Sequence, residues 1–232
     1  MTSCDEPGTP ACTVGQDRGV TAPSSYLVLH GWQNRRPADH WQHRLADELA
    51  GRGLVVRYPQ LPDTDEPRLA EWEAVVRAEL AALPEGPVTV VCHSLACLTW
   101  LQLQAGDAPP RVDRVALVAP PSPELIAGQE AVREFAGGAT FDGRRLSLGA
   151  RGRPGSAPAD DAVVVAGDDD PWLPLGLVDT WESRVEAALH VVPRGGHLTP
   201  DSGYGDWPAV LDWALGAGGA AFAGRSAVTS GG

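Results

Sequence analysis

From about residue 25 onward the chain alternates between short apolar runs and longer segments whose apolar positions recur every three or four residues. The runs are YLVLH (26–30), LVVRY (54–58), VTVVC (88–92), RVALVA (114–119), AVVVAG (162–167) and LHVV (189–192). They are rich in Val and Leu and lack strict in-out alternation, as parallel strands covered on both faces do. The segments between them have helical spacing. Over 38–50, Trp41, Leu45 and Leu49 form one stripe, with Asp39 placed to cap or charge the first turn. Over 67–83, Pro67 stands at the first helical position, and Leu69, Trp72, Val76 and Leu80 or Leu83 align. Further helices are expected over 95–104, about 174–188 and 206–215. This order predicts right-handed βαβ units and so an α/β fold: a doubly wound, mainly parallel six-stranded sheet with helices on both faces.

The alternation fails in three places. Residues 1–24 are rich in Gly, Pro, Ser and Thr, and 216–232 read GAGGAAFAGRSAVTSGG, so both ends are expected to be flexible tails around one domain over 25–215. Residues 120–160 hold first PPSPELIAGQEAVREFAGG and then FDGRRLSLGARGRPGSAPAD, the second stretch poor in core residues and rich in Gly and Arg. They are expected to form a small cap or exposed loop over the carboxyl side of the sheet. No internal repeat is visible, and 232 residues suffice for one substantial core.

Charge and composition narrow the chemistry. A net charge of −12 argues against a nucleic-acid surface, which needs clustered basic residues. There is no Lys in the chain, which removes Schiff-base chemistry and the P-loop lysine. The first 25 residues hold no apolar stretch of the secretory kind, and no 18-residue apolar run predicts a membrane span, so a cytoplasmic protein without membrane or nucleic-acid partners is expected. Cys4, Cys12, Cys92 and Cys97 have neither a disulfide framework nor zinc spacing, and Cys92 sits inside an apolar strand. No metal and no dinucleotide cofactor is expected, since no glycine-rich stretch fits the G-x-G-x-x-G fingerprint. Nothing in the sequence speaks to oligomeric state.

In open α/β sheets ligands bind beyond the carboxyl ends of the strands. Four candidate groups fall there: His30-Gly31-Trp32, Ser94, Asp168-Asp169-Asp170 and Gly195-Gly196-His197. Ser, Asp, His is also the order in which α/β-hydrolases carry their triad. The serine lies in Cys92-His93-Ser94-Leu95-Ala96, where small residues replace both glycines of the G-x-S-x-G elbow. Taken alone, a serine at a strand end is more often a helix cap, and an acidic run before Pro171 is more often a solvated turn. Asp170 is favoured for orienting a histidine because the residue before proline is held extended, and Asp168 is the runner-up. Of the six histidines, His30, His40, His43, His93 and His190 read as packing or hydrogen-bonding groups. His197 follows a glycine pair after the last strand and is free to project over the sheet edge.

These residues carry a resemblance. The set HGW (30–32), HW (40–41), CHSLAC (92–97), APPSPE (119–124), DDPWLP (169–174) and GGHLTPDSGYGDWP (195–208) is similar to the retinoblastoma-binding protein 9 / YdeN-like family of serine hydrolases, within the α/β-hydrolase superfamily. The likeness spans about 26–215. It implies Ser94 as nucleophile, His197 as general base, Asp170 as acid, and the main-chain N–H groups of Trp32 and Leu95 as oxyanion hole. His30, Trp172 and Leu173 are expected at the substrate. Trp32, Trp100, Trp172 and Leu173 are candidates for an apolar acyl pocket, with Trp100 more plausibly a core residue. The expected activity is hydrolysis of a small-molecule ester, thioester or amide. An acyltransferase or cyclase with the same triad, and a catalytically silent binding protein of the same fold, are the alternatives.

Overall fold

The structure is a computed structural model that describes residues 24–137, 145–153 and 155–223. Six parallel strands form one sheet in the order β2-β1-β3-β4-β5-β6: β1 (Ser25–Leu29), β2 (Val55–Arg57), β3 (Val88–His93), β4 (Arg114–Val118), β5 (Ala162–Gly167) and β6 (Ala188–Val192). The helices are α1 (Trp41–Gly51), α2 (Leu69–Ala81), α3 (Leu95–Ala105), α4 (Pro123–Ala127), α5 (Pro158–Asp161), α6 (Leu175–Arg184) and α7 (Pro208–Ala214). The α/β fold expected from the sequence is the fold observed. The four central strands, β1, β3, β4 and β5, lack polar alternation because each face is buried. Leu27, Leu29, Val90, Cys92, Val115, Leu117 and Val164 meet α2, α3 and α6, while Tyr26, Val28, Val91, Ala116, Val118 and Val165 meet α1 and α7.

Helix α3 is apolar all round, and nine of its eleven residues are buried, from Leu95 to Gln104. Such a helix needs cover on every side. The sheet supplies one side, and α2 together with a 3-10 turn (Glu130–Ala136) supplies others, with Val132 and Phe135 in the shared core. Helix α1 starts at Trp41, the first residue of its apolar stripe and three residues later than the expected 38. Its cap is His40, whose Nδ1 accepts from the Gln42 N–H at 3.2 Å, and not Asp39. Pro67 likewise precedes α2, whose cap is Arg68.

The expected cap splits in two. Residues 120–137 follow β4 at the carboxyl edge, where Ser122 N–H donates to Trp172 O at 2.7 Å. Residues 145–153 run at the opposite edge instead. There Val112 N–H donates to Gly149 O at 3.1 Å and Arg151 N–H to Val112 O at 2.8 Å, beside the start of β4. At the chain end, the expected tail at 216 begins too early. A 3-10 turn (Gly219–Ala223) places Phe222 in the core beside Trp207 and Trp213. The expected tails otherwise lie outside the described residues over 1–23 and 224–232, as does 138–144 of the expected cap.

Buried Arg114 ties this end together. Its guanidinium donates to Asp161 Oδ1 at 2.9 Å, to Ala217 O at 3.0 Å, to Asp160 O at 3.1 Å and to Trp213 O, and it lies 3.9 Å from the Trp213 ring centroid. Arg153 shares the Asp161 carboxylate. Burial lowers the Arg114 pKa to about 10, which leaves it charged at neutral pH.

Candidate active site

Strand β3 delivers the chain to Ser94 and α3 leads it away, and between them Ser94 takes φ 55°, ψ −126°. Non-glycine residues rarely adopt a positive φ, and they keep it only where the surroundings enforce it. Here Ser94 N–H donates to Val118 O at 2.9 Å, extending the β3–β4 ladder by one bond. Cys97 N–H then donates to Ser94 O at 2.8 Å as the helix begins. Cys92 and Ala96 occupy the elbow's usual glycine positions and are both buried, so the tight turn forms with Sγ and Cβ packed in the core. Burial raises the thiol pKa of Cys92 and Cys97, which holds both neutral.

The strand ends bring the expected partners to this serine. His197 Nε2 lies 2.8 Å from Ser94 Oγ, and its Nδ1 lies 2.9 and 3.0 Å from the two Asp170 oxygens. A carboxylate only accepts, so Nδ1 carries the proton and Nε2 is left to accept from the hydroxyl. The Asp170 side chain is fully buried and also accepts the Trp172 N–H at 2.8 Å, so both of its oxygens are hydrogen-bonded. Asp168 does not share this role. Its Oδ1 accepts the Arg194 N–H, and Asp169 Oδ1 accepts the Gly196 N–H, each at 2.6 Å. The acidic run thus divides its labour, two carboxylates clamping the main chain of the loop and the third meeting the imidazole. A side chain at Gly167 would collide with Gly196 O, which is why the loop lies so close to the end of β5.

A third turn, His30-Gly31-Trp32, closes over the elbow. A Cβ on Gly31 would stand 2.6 Å from Ser94 Cβ and 3.1 Å from Ser94 Oγ. The Trp32 indole N–H donates to Asp65 O at 2.9 Å, and Gln33 N–H to Thr64 O at 2.9 Å. None of the main-chain hydrogen bonds among the described residues uses the N–H of Trp32 or of Leu95. A cleft of about 450 Å³ opens here, with Gly31, Trp32, Gln33, Asn34, Arg35, Ser94, His197 and Asp201 in its wall. Among the described residues, no group of three or more His, Cys, Asp or Glu is placed to hold a metal ion, and no helix is long and apolar enough to cross a membrane.

The serine hydrolase family model matches residues 26–214. The chain belongs to the serine hydrolase family. As a serine hydrolase it is most usefully compared with the ydeN gene product of B. subtilis, which is 26% identical, with a TM-score of 0.63 over 83% of this chain and 97% of that one. Two structures of lower identity share the fold. The pyrethroid hydrolase PytH is 17% identical with a TM-score of 0.53 over 84% of this chain and 98% of its own. A structure of the metagenome-derived lipolytic enzymes LipS and LipT is 14% identical with a TM-score of 0.54 over 75% of this chain and 84% of its own. No curated protein matches the chain.

In this serine hydrolase, three residues expected at the substrate lie outside the wall of the cleft beside Ser94. His30 is fully buried. Its Nδ1–H donates to Gly31 O at 2.9 Å, and its Nε2 accepts from Leu61 N–H at 2.9 Å and from the Gln60 amide at 3.0 Å. Burial lowers its pKa to about 4, so a neutral ring pins the glycine turn to the 60–61 loop. Leu173 has no exposed surface and belongs to the core. Trp172 is half-buried against Trp32, ring centroids 6.1 Å apart, and stands outside the cleft wall. Trp100 is a core residue whose indole donates to Leu148 O at 2.9 Å. No described residue of 120–160 lines the cleft.

Sequence reasoning missed the groups that hold the histidine loop. His93 Nε2–H donates to His197 O at 3.0 Å, and the Trp41 indole donates to Leu198 O at 2.8 Å. The paired HW at 40–41 and the histidine before the serine were visible, but nothing local says that both look across the sheet to residues more than a hundred positions away. Gln33, Asn34 and Arg35 on the cleft wall left no signal beyond following HGW.

Proposed function

We propose that this serine hydrolase cleaves a small-molecule ester, thioester or amide through Ser94, His197 and Asp170, by way of an acyl-enzyme. The supporting observation is one unbroken hydrogen-bonded line from a buried carboxylate through an imidazole to a serine hydroxyl held at a positive φ. Ser94 Oγ attacks the acyl carbon while His197 Nε2 takes its proton. The carbonyl π pair moves to oxygen, and the N–H groups of Trp32 and Leu95 receive it. Loss of one such donor typically costs about 2.7–4 kcal/mol of transition-state stabilisation. Collapse expels the leaving group, which takes the proton from His197, and water repeats the sequence to free the acid. Asp170 holds the tautomer and stabilises the imidazolium, and removing such a partner costs on the order of 10⁴ in turnover.

A cleft of about 450 Å³ fits a small ligand rather than a polymer. Its wall carries Gln33, Asn34, Arg35 and Asp201 beside Trp32, Pro37 and Pro200, so a short acyl group with polar substituents fits better than a long alkyl chain. The test is a panel of chromogenic acyl esters run with the wild-type protein and with Ser94→Ala. Hydrolysis of short acyl esters that vanishes in the variant is expected. A correctly folded wild-type protein inert to the whole panel and to a fluorophosphonate would contradict the reading.

A further inference from the structure

Beside His197, in the wall of the same cleft, stands a second pair of histidines that the mechanism does not use. His40 and His93 are each 3% exposed, with ring centroids 5.2 Å apart and planes at 68°, and the His93 ring centroid is 5.1 Å from that of His197. Their hydrogen bonds assign their tautomers. The Gln42 N–H donates to His40 Nδ1, so a neutral His40 must carry its proton on Nε2. His93 Nε2 faces the His197 carbonyl, which only accepts, so the His93 proton is on Nε2 and its Nδ1 is bare. The two atoms left over are His40 Nε2 and His93 Nδ1. Both are buried without a partner, and one is a donor where the other is an acceptor.

An unpartnered buried polar atom is destabilising, so a complementary pair on adjacent rings calls for a link between them. We propose that His40 and His93 form a relay of neutral imidazoles, closed by a small ring rotation or one bridging water, that runs from the cap of α1 to the His197 carbonyl and positions His197 for proton transfer. The proposal rests on the reading of Ser94 and His197 as the reacting pair. The loop needs such a hold, because Gly196 and Leu198 on either side of His197 both have φ of 51°. For Leu198 that conformation is strained. Main-chain clamps from Asp169 at Gly196 and from Trp41 at Leu198 flank the His197 carbonyl, and His93 supplies the clamp between them. Burial lowers the His40 pKa to about 4 and takes that of His93 well below its usual value, so both rings stay neutral while His197 gains and loses its proton. His40 and His93 are thus positioning residues that act through His197.

Two measurements on the whole protein test this. Two-bond ¹H–¹⁵N correlation spectra of the imidazoles at pH 7 should show both His40 and His93 as neutral Nε2–H tautomers. An Nδ1–H tautomer or an imidazolium at either position overturns the relay. The rate of fluorophosphonate capture is then followed in variants, with Ser94→Ala as control. If Ser94→Ala labels like the wild type, the underlying reading of the site has failed. If it does not label, the relay is judged on its own. His93→Phe keeps the ring shape and removes the donor, and should slow the maximal capture rate by about tenfold to 100-fold, the scale of a 1 Å misplacement, with little change in probe affinity. His93→Gln, whose amide can reach the same carbonyl, should recover most of the rate. His40→Asn keeps a capping acceptor for the Gln42 N–H while its shorter side chain withdraws the ring and its Nε2–H from His93, so it tests the link even where His93→Phe does not fold. Wild-type capture rates in His40→Asn or in a folded His93→Phe, or no recovery in His93→Gln, would overturn the proposal.

Discussion

Gly31 has no side chain because Ser94 occupies the space that one would need. A methyl at that position meets Ser94 Cβ at 2.6 Å and the His93 carbonyl at 3.2 Å, so the turn or the elbow must shift. Gly31→Ala should therefore lower kcat/KM for a chromogenic ester on the order of 10²-fold while leaving the unfolding midpoint within a few degrees. Steady-state kinetics beside a thermal melt checks this, and wild-type kinetics in the variant would contradict the close approach. At this scale the sequence told most where chemistry and position coincided. Ser94, Asp170 and His197 were legible because each stands at a strand end in the expected order. His30 misled because a histidine beside the site offers the same letters whether it faces the cleft or is buried behind it. Only the tertiary partners Leu61 and Gln60 decide, and they lie thirty residues away.

The elements follow the apolar pattern closely where burial is uniform. All six strands fall within two residues of their expected bounds, since runs of Val and Leu flanked by turn residues admit few other readings. Helix ends were less legible, because His40 caps α1 through an acceptor nitrogen that no capping preference singles out. The 145–153 segment and the 219–223 turn were less legible for a different reason: their composition is poor, and the bonds that hold them reach distant residues, Val112 and Arg184 from 145–153 and Asp160 from Gly219. Arg114 satisfies the carbonyls at the end of α7 and the Asp161 carboxylate at once. Arg114→Met should destabilise the protein by about 3–5 kcal/mol, since it takes the guanidinium donor from the carbonyls of Asp160, Trp213 and Ala217 and leaves the buried Asp161 carboxylate with Arg153 and Ser156 alone. Urea unfolding monitored by tryptophan fluorescence measures the loss. A change below about 1 kcal/mol would mean that the Arg114 cluster does not hold the chain end.

Across the whole molecule, the buried histidines link stability to pH. His30 and His40, with pKa near 4, and His93, well below the usual value, all titrate lower in the folded state than the 6.5 of an unfolded chain. Above pH 6.5 these rings are neutral in both states and add no pH dependence. Below it the unfolded chain takes up protons that the folded protein refuses, so stability falls as pH drops from about 6.5 toward 4. Each such histidine contributes a slope of about 1.4 kcal/mol per pH unit inside that window. Tm should be nearly level from pH 8 to 7 and fall steeply from 6 to 5, and an unchanged Tm at pH 5 would show that these rings charge freely in the fold.

The central claim is that the fold brings the Asp170 carboxylate and the His197 imidazole to Ser94 and makes that one hydroxyl reactive. Peptide mapping by mass spectrometry after exposure to a fluorophosphonate tests it most directly. A single phosphonyl group per chain, on Ser94, is expected, with capture slowed on the order of 10³-fold or more in His197→Ala. An unmodified Ser94 in folded protein, or equal capture with and without the imidazole, would contradict it.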